Sequence, residues 1–267
     1  MLNDYNAAAP DEAYPKAKAA AFKALEIDPN LVEPRTTIAF VLATYDWNFP
    51  EAEREYRRVI EINPNYVTAH QWYGELLYTV KRFAEAEIEL KRATELDPLA
   101  PIIQSELGVV MYYSGKYDEA IGHYSKLKQE FPNFPTTYLF SAWSYEQKQM
   151  PDESFAEEII FWKLQGVDEA TLGEMERIYR QKGRTAYLRE IARMLEKTAQ
   201  GGQLFVEYRL IHTYARLRDR EKTLEWLEKG IKKRSANIIK VNLDPNFDFL
   251  RDDERFQMLQ REFQRSQ

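Results

Sequence analysis

The sequence predicts an all-α protein built of antiparallel helical hairpins, about 13–14 helices in all. A phrase ending in proline recurs at Pro29, Pro64, Pro98 and Pro132, at spacings of 35, 34 and 34 residues. Each interval holds two segments whose apolar residues recur at three- and four-residue steps, which is the period of an amphipathic helix. The chain is 44% apolar and 30% charged, a composition typical of a protein that forms a core.

The interval from Val67 to Pro98 has the residue pattern of two helices joined by a turn. The first helix carries an apolar stripe of Trp72, Tyr73, Leu76 and Leu77, and the second carries Ala86, Leu90 and Ala93. Lys81 and Arg82 form the turn between them, and Asp97-Pro98 ends the second helix. A two-helix hairpin of this length cannot enclose its own core, so its apolar faces must be buried against neighbouring hairpins.

These units resemble the tetratricopeptide repeat, whose signature is W-x2-L-G-x2-Y, then A-x3-F, then P. The matching residues are Ile38-Ala39-x2-Leu42, Ala52-x3-Tyr56 and Pro64; then Tyr73-Gly74-x2-Leu77, Ala86-x3-Leu90 and Pro98; then Leu107-Gly108-x2-Met111, Ala120-x3-Tyr124 and Pro132. The signature tryptophan is replaced by Arg35, His70, Gln104 and Tyr138. The resemblance covers roughly residues 12–233, and it implies a right-handed α-solenoid that binds proteins or peptides without catalysis.

Four regions follow in order along the chain. Residues 1–30 form a truncated first repeat with its second helix at 12–28, and residues 31–166 form four repeat units. Residues 167–235 form degenerate helical repeats, with helices from Asp168 to Gln181 and from Thr185 to Thr198, ended by Gly183 and by Gly201-Gly202. Residues 236–267 form a cap, an extended stretch and turn leading into a short helix capped by Asp252 or Asp253. Because the chain starts within a repeat, we expect it to be a fragment of a longer protein, with a natural irregular cap as the alternative.

Two C-terminal segments are similar to the repeat arrays of large bacterial signalling proteins. They are the hairpin segment from Arg220 to Gly230 and the phrase from Asn242 to Phe256. In those proteins the array follows a winged-helix DNA-binding domain or a serine/threonine kinase domain. The resemblance implies the interaction or sensor part of a bacterial signalling or transcription-regulatory protein, whose effector chemistry would lie outside this chain.

Few kinds of catalytic or metal-binding site are compatible with this composition. The chain has no cysteine and three histidines, and it lacks the nucleotide-binding, zincin and hydrolase motifs. Asp244, Asn246 and Asp248 copy the first ligand positions of a calcium loop, but Phe249 replaces its glycine, so turn and cap roles explain them better. We therefore expect no catalysis, no cofactor and no metal. A small-molecule sensor or enzyme near Phe161, Trp162 and Tyr179 is a secondary alternative.

The first helix of each repeat lines the inner side of the array in this family. Positions that turn away from the core on these helices predict a peptide-binding groove of Phe40, Gln71, Glu75, Tyr78, Val109, Tyr112, Tyr113, Leu139 and Trp143. Family members that grip a C-terminal carboxylate use Lys, Arg and Asn there, and this set has none. The groove is suited instead to apolar or proline-containing peptides, with amides such as Gln71 bonding to the peptide backbone.

Charge is distributed unevenly along the chain. Residues 1–166 carry 16 basic and 26 acidic residues, whereas residues 167–267 carry 21 and 17. This polarity is explained first by ordinary solvated helix faces; the functional alternatives are a basic partner near the N-terminal repeats, a homo-oligomer, or an autoregulatory contact with a missing effector domain. The net charge of -6 argues against direct nucleic-acid binding. No targeting or membrane segment is recognisable, so we expect a cytoplasmic chain, or a periplasmic one if the full-length protein is membrane-anchored.

Overall fold

The computed structural model describes residues 10–200, 206–235 and 237–263. In these residues it contains thirteen α-helices, two 3-10 helices and no strand. The α-helices are α1 (Pro10–Ile27), α2 (Val32–Thr44), α3 (Phe49–Ile62), α4 (Val67–Thr79), α5 (Phe83–Leu96), α6 (Pro101–Tyr113), α7 (Tyr117–Glu130), α8 (Pro135–Gln147), α9 (Pro151–Leu164), α10 (Glu169–Gln200), α11 (Glu207–Arg216), α12 (Arg220–Lys232) and α13 (Glu254–Glu262). The predicted all-α class of consecutive helical hairpins is confirmed.

The helices group into two compact units. One unit joins Met1–Trp72 with Leu188–Gln267, and the other is the continuous segment Tyr73–Tyr187. In the first, α2 packs on α1 and α3, and α12 packs on α11 and α13. In the second, each helix from α5 to α8 packs on the next, and α6 also packs on α8. The four-part division of the chain made from the sequence stays a prediction.

Two glycines allow the paired helices of a hairpin to approach closely. A Cβ on Gly74 would lie 2.6 Å from Leu90 Cγ, closer than real side-chain contacts allow. A Cβ on Gly108 would meet the ring of Tyr124, at 2.6 Å from Cε1 and 2.7 Å from Oη. Leu90 and Tyr124 are both fully buried. At these two signature positions a small residue therefore marks the closest approach of the two helices.

The turn inside each hairpin uses one residue with a positive φ. These residues are Trp47, Lys81, Gly115 and Gln149, each 34 positions after the last. In the last three turns the next amide bonds to a carbonyl five residues back, as in Arg82 N to Leu77 O at 2.9 Å and Lys116 N to Met111 O at 2.9 Å, whereas Asn48 N bonds to Leu42 O, six residues back, at 2.8 Å. This is the six-to-one hydrogen bond of a Schellman motif, which ends a helix and reverses the chain.

The same turn spacing continues where the sequence signature fades. Gly183 lies 34 positions after Gln149, has a φ of 77°, and breaks α10 into two helical halves. Arg218 has a φ of 57° at the turn between α11 and α12. The helix end predicted at Gly183 is therefore observed, whereas the one predicted at Gly201 and Gly202 lies outside the described residues.

The four residues that replace the signature tryptophan all make the same hydrogen bond. In each of four repeats the side chain at this position donates to the proline carbonyl six residues earlier. The pairs are Arg35 Nη2 to Pro29 O at 2.9 Å, His70 Nε2 to Pro64 O at 3.0 Å, Gln104 Nε2 to Pro98 O at 2.6 Å and Tyr138 OH to Pro132 O at 2.8 Å. Four different donors thus satisfy the same carbonyl beyond the end of the preceding helix.

The C-terminal segment differs from the prediction. The expected extended stretch is wrong, because residues there form two 3-10 helices, Ile238–Asn242 and Pro245–Leu250. Asp244 accepts a hydrogen bond from Asn246 N at 2.9 Å, and Pro245 supplies the fixed φ of a first helical residue. The predicted cap of α13 is Asp253, which accepts from Phe256 N at 3.0 Å.

A buried polar cluster joins the second 3-10 helix to α11. Asp244 is fully buried, and its Oδ2 lies 3.2 Å from His212 Nε2. Asn246 donates to Asp244 Oδ1 from its backbone at 2.9 Å and from its side chain at 2.9 Å. Burial raises the pKa of Asp244, but the charge and hydrogen bond of His212 and the bonds from Asn246 outweigh it, so the pKa is lowered overall.

We predict that Gly108→Ala lowers the thermal midpoint, because the new methyl group must displace the buried Tyr124 ring. The expected loss is about 1–3 kcal/mol of stability, as for other overpacked cores. Gly122 on α7 is the matched control, since a Cβ there meets nothing within 4 Å. Gly122→Ala should be neutral or stabilising by up to about 1 kcal/mol. Thermal unfolding followed by circular dichroism checks both, and equal midpoints for the two variants would contradict the close approach.

We predict that Asp244→Asn destabilises the protein at neutral pH by about 1–3 kcal/mol, because His212 and Asn246 lose a charged acceptor. The pKa of Asp244 is lower in the folded chain than in the unfolded chain, where it is about 3.9. The ionised carboxylate therefore stabilises the fold above this pH, and the stabilisation is lost as the pH falls through the folded-state pKa. Unfolding measured from pH 7 to pH 3 should therefore show a steeper acid loss in the unmodified chain than in the variant. Asp248→Asn, whose side chain is 66% exposed, is the control. Identical acid profiles for Asp244→Asn and the unmodified chain would refute the coupling.

Candidate peptide-binding site

The nine residues predicted for the groove all lie on first helices of the hairpins. Phe40 is on α2; Gln71, Glu75 and Tyr78 are on α4; Val109, Tyr112 and Tyr113 are on α6; Leu139 and Trp143 are on α8. Three of them, Phe40, Glu75 and Leu139, are half-buried. The remaining six are buried. Whether the set binds a peptide stays a prediction.

Within the Met1–Trp72 and Leu188–Gln267 unit, the candidate surface is an aromatic row. The Phe40 ring lies 4.5 Å from Trp72 and 6.2 Å from Tyr14, and Tyr14 lies 5.2 Å from Tyr45, measured between ring centroids. Phe40, Trp72 and Tyr45 are half-buried, whereas Gln71 is 8% exposed. The row therefore offers accessible ring surface, but the Gln71 amide is largely covered.

Within the Tyr73–Tyr187 unit, the candidate residues form an aromatic cluster. The Tyr112 ring lies 5.2 Å from Tyr113, 5.7 Å from Phe140 and 6.0 Å from Trp143. Phe140 and Trp143 meet edge to face at 4.8 Å. Tyr112 has no exposed surface, and Trp143 is 6% exposed. Their rings bind α6 to α8, so their first role is packing between neighbouring first helices.

A hydrogen bond links α4 to α6 beside this cluster. Tyr78 OH donates to Glu106 Oε2 at 3.0 Å. Burial raises the pKa of Tyr78 well above its usual value, and the nearby charges of Glu106 and Glu75 raise it further. The phenol is therefore neutral at any physiological pH and remains a donor to the Glu106 carboxylate.

Three half-buried side chains lie on the first helices α4, α6 and α8. Glu75 and Glu106 lie on α4 and α6, and Leu139 lies on α8. Glu146, at the end of α8, pairs with Arg184 of α10. We call Glu75, Glu106 and Leu139 the rim. Two of its members carry carboxylates, so the rim combines negative charge with one apolar side chain.

Sequence reasoning missed Glu106, Phe140 and Arg184. Counted from the first helical residues Pro101 and Pro135, Glu106 and Phe140 are each the sixth residue of a repeat, and Phe140 directly follows the predicted Leu139. A wider arc of the helical wheel would have included them. Arg184 lies outside the recognisable signature, and no local pattern indicates its pairing with Glu146.

Other residues considered for chemistry serve in packing and caps. Trp162 Nε1 donates to Tyr187 OH at 3.2 Å, and the Tyr179 ring stacks on Phe155 at 3.8 Å. His123 Nε2 bonds to Gln104 O at 2.8 Å. Across the described residues, no three or more His, Asp or Glu side chains gather in a way that could hold a metal ion. No helix in the same ranges has both the length and the apolar character needed to cross a membrane.

Comparisons with solved structures identify similar folds. The structure of Pseudomonas aeruginosa PilF matches 96% of this chain and 91% of its own, at 19% identity and a TM-score of 0.52. A MamA structure matches 58% of this chain and 91% of its own, at 22% identity and a TM-score of 0.49. YrrB, described as a TPR protein with an unusual peptide-binding site, matches 84% and 96% at 16% identity and a TM-score of 0.45. The PilF likeness supports the all-α hairpin fold.

Sequence comparison identifies the repeats themselves. No curated protein matches the chain. Two tetratricopeptide repeat family models match residues 48–105 and residues 81–135. These matches cover the hairpins that carry Gly74, Gly108 and the turns at Lys81 and Gly115. Residues 48–135, less than half of the chain, therefore match the tetratricopeptide repeat.

Proposed function

We propose that this chain is a non-catalytic scaffold that binds a protein or peptide through the first helices of its repeats. The observation that carries the proposal is the rim of Glu75, Glu106 and Leu139 beside a packed aromatic cluster in the Tyr73–Tyr187 unit. Repeated hairpins place equivalent positions of successive first helices side by side, which is how repeat proteins build extended binding surfaces.

The chemistry of the rim favours a basic partner with an apolar residue. Carboxylates at the edge of a low-dielectric surface attract Lys or Arg side chains more strongly than carboxylates in open water. Leu139 offers a half-buried apolar contact on the neighbouring first helix. The acidic balance of residues 1–166 supports the same partner and would speed its encounter with the chain.

The buried aromatic residues hold the helices and side chains of the rim in place. Tyr112, Phe140 and Trp143 fix the spacing of α6 and α8, and Tyr78 holds Glu106 in place. A surface whose side chains are fixed before binding loses less conformational entropy when a ligand arrives. We therefore assign the predicted groove residues of the Tyr73–Tyr187 unit two roles, with Glu75 and Leu139 in contact with the ligand and the five buried residues as support.

We also propose that this module belongs to a larger bacterial signalling or transcription-regulatory protein. The support is the similarity of the Arg220–Gly230 hairpin segment and the Asn242–Phe256 phrase to the repeat arrays of such proteins. Genomic sequence upstream of residue 1 that encodes a winged-helix or kinase domain would support this context, and an unrelated domain there would contradict it.

We predict that the chain selects basic peptides and that the rim carries this selectivity. An array of immobilised peptides that differ in Lys, Arg and apolar content, probed with the purified chain, should retain basic peptides with an apolar residue. Isothermal titration with the strongest peptide should give roughly micromolar affinity. Glu75→Gln and Leu139→Ala should each weaken binding about three- to tenfold, because each removes about 1 kcal/mol of charge or apolar contact.

Two outer-helix variants are the matched controls for this binding measurement. Glu95→Gln and Ile88→Ala make the same chemical changes on α5, where the Glu95 side chain is 66% exposed and Ile88 is 65% exposed. Both should bind like the unmodified chain. Retention of acidic peptides instead of basic ones, or equal weakening by rim and control variants, would show that the rim is not the binding surface.

We predict that the main effect of Tyr112→Ala and of Trp143→Ala is to lower the stability of the protein, and that any loss of binding follows from this. Each truncation leaves a cavity among buried rings and should cost about 3–5 kcal/mol. Thermal unfolding of Trp143→Phe, which keeps an aromatic ring, should fall between Trp143→Ala and the unmodified chain. A Trp143→Ala protein that unfolds at the unmodified midpoint would contradict the supporting role.

A further inference from the structure

Two carboxylates of the rim stand at positions where the other first helices carry mostly apolar side chains. Glu75 on α4 and Glu106 on α6 are both half-buried. The equivalent residues are Phe40, Val109 and Trp143 for Glu75, and Thr37, Trp72 and Phe140 for Glu106. A half-buried carboxylate loses hydration and adds little apolar contact, so its presence at such a position costs stability. Packing rules are broken in this way mostly at functional sites.

The Tyr78 phenol connects the two carboxylates. Tyr78 lies three residues after Glu75 on α4, so the two side chains share one face of the helix. The Tyr78 side chain is completely buried, and its hydroxyl donates to Glu106 Oε2 of α6 at 3.0 Å. Burial raises the pKa of Tyr78 most, and the charges of Glu106 and Glu75 raise it further. Both carboxylates therefore lie near one hydroxyl, at the junction of two first helices.

The next junction, between α6 and α8, shows a contact that serves packing alone. Tyr112 is equivalent to Tyr78, and Phe140 is equivalent to Glu106. These two rings are buried and pack on each other with their centroids 5.7 Å apart. Neighbouring first helices can thus pack without a carboxylate at this position. The Tyr78–Glu106 pair replaces a ring contact with a hydrogen bond that holds a charged group in place.

A carboxylate held by a hydrogen bond presents its oxygens in a fixed direction. The Tyr78 hydroxyl holds Glu106 Oε2, and the raised pKa of Tyr78 keeps this donor protonated at physiological pH. A guanidinium donates through a rigid planar fork, so its binding depends on the direction of the acceptor. An ammonium group is a compact and strongly hydrated point charge, so its binding depends mainly on distance. A carboxylate with a fixed direction at a half-buried surface therefore favours arginine over lysine.

We propose that Tyr78 is a positioning residue that makes the rim selective for arginine. The arginine side chain of a bound peptide donates to Glu75 and Glu106 together, while Leu139 contacts the apolar residue of the same peptide. Tyr78 acts through Glu106 and, being completely buried, does not touch the peptide. This inference rests on the function proposed above and names the basic residue that its partner carries.

Isothermal titration with three versions of one peptide tests this selectivity. The strongest basic peptide from the array is synthesised with arginine, lysine or citrulline at its most sensitive basic position. Citrulline is the neutral isostere of arginine. The unmodified chain should bind the arginine version about five- to tenfold more tightly than the lysine version, because only arginine makes a directional, charge-assisted contact. The citrulline version should bind most weakly of the three.

Tyr78→Phe is the variant that tests the positioning role, because it removes the hydroxyl and keeps the ring. The number of carboxylates does not change, so the lysine version should bind within about twofold of its affinity for the unmodified chain. The arginine version should bind about fivefold more weakly, which brings the two affinities close together. A purely structural loss would instead weaken both versions equally.

Tyr124→Phe is the matched control for this variant. Tyr124 is also completely buried in the Tyr73–Tyr187 unit, but its hydroxyl donates to the backbone carbonyl of Ser105 at 3.2 Å. The same chemical change at this position should leave the preference for arginine intact. Loss of the preference in both variants would show that it does not depend on the Tyr78–Glu106 bond, and this would overturn the proposal.

Glu106→Asp decides the question if Tyr78→Phe weakens both peptide versions. It keeps the charge but shortens the side chain, so the carboxylate moves away from the Tyr78 hydroxyl. The lysine version should still bind, and the preference for arginine should fall to about twofold or less. An unchanged preference in this variant would overturn the positioning role of Tyr78.

The results for the rim variants separate this inference from the function on which it rests. If the peptide binds Glu75→Gln as tightly as the unmodified chain, the rim is not the binding surface and both proposals are refuted. If Glu75→Gln weakens binding but the arginine and lysine versions bind equally well to the unmodified chain, only the arginine selectivity is refuted.

Discussion

The closeness of the two helices within a hairpin is the constraint on which the rest of the structure depends. At Gly74 and Gly108 the first helix leaves no space for a Cβ, so the buried side chains of Leu90 and Tyr124 reach its backbone. This close contact makes each hairpin thin, and a thin hairpin cannot cover its own apolar faces. Each must therefore pack on its neighbours, which brings successive first helices together and creates both the aromatic cluster and the rim.

The fold could be predicted from the sequence because its signals are local. The proline spacing, the amphipathic period and the small residues at Gly74 and Gly108 each depend on a few neighbouring positions. The turn at Gly183 repeats the earlier spacing although the side-chain signature has faded around it. A Schellman turn is defined by backbone hydrogen bonds and a positive φ, so it persists where the surrounding side chains diverge.

The site was less predictable, because burial depends on distances between helices. The angular position of Tyr112 and Trp143 on their helices predicted side chains that turn away from the core into the groove, but the angle does not show that both rings are buried, with their centroids 6.0 Å apart. The C-terminal 3-10 helices were missed for a similar reason. Asn242 to Leu250 has no helical period, and its shape depends on the buried pairing of Asp244 with His212.

One compact unit is assembled from the two ends of the chain, and this has a consequence for folding kinetics. Its contacts include the bond from Arg234 to Tyr45, which spans 189 positions, whereas the unit Tyr73–Tyr187 is one uninterrupted stretch. Closing so long a loop is entropically slow, while the uninterrupted stretch needs only short-range contacts. During synthesis on the ribosome the indole of Trp47 leaves the exit tunnel long before Phe263 has been translated. The nascent chain therefore carries an uncovered aromatic turn until Phe263, whose ring packs on Trp47 in the folded chain, has also left the tunnel.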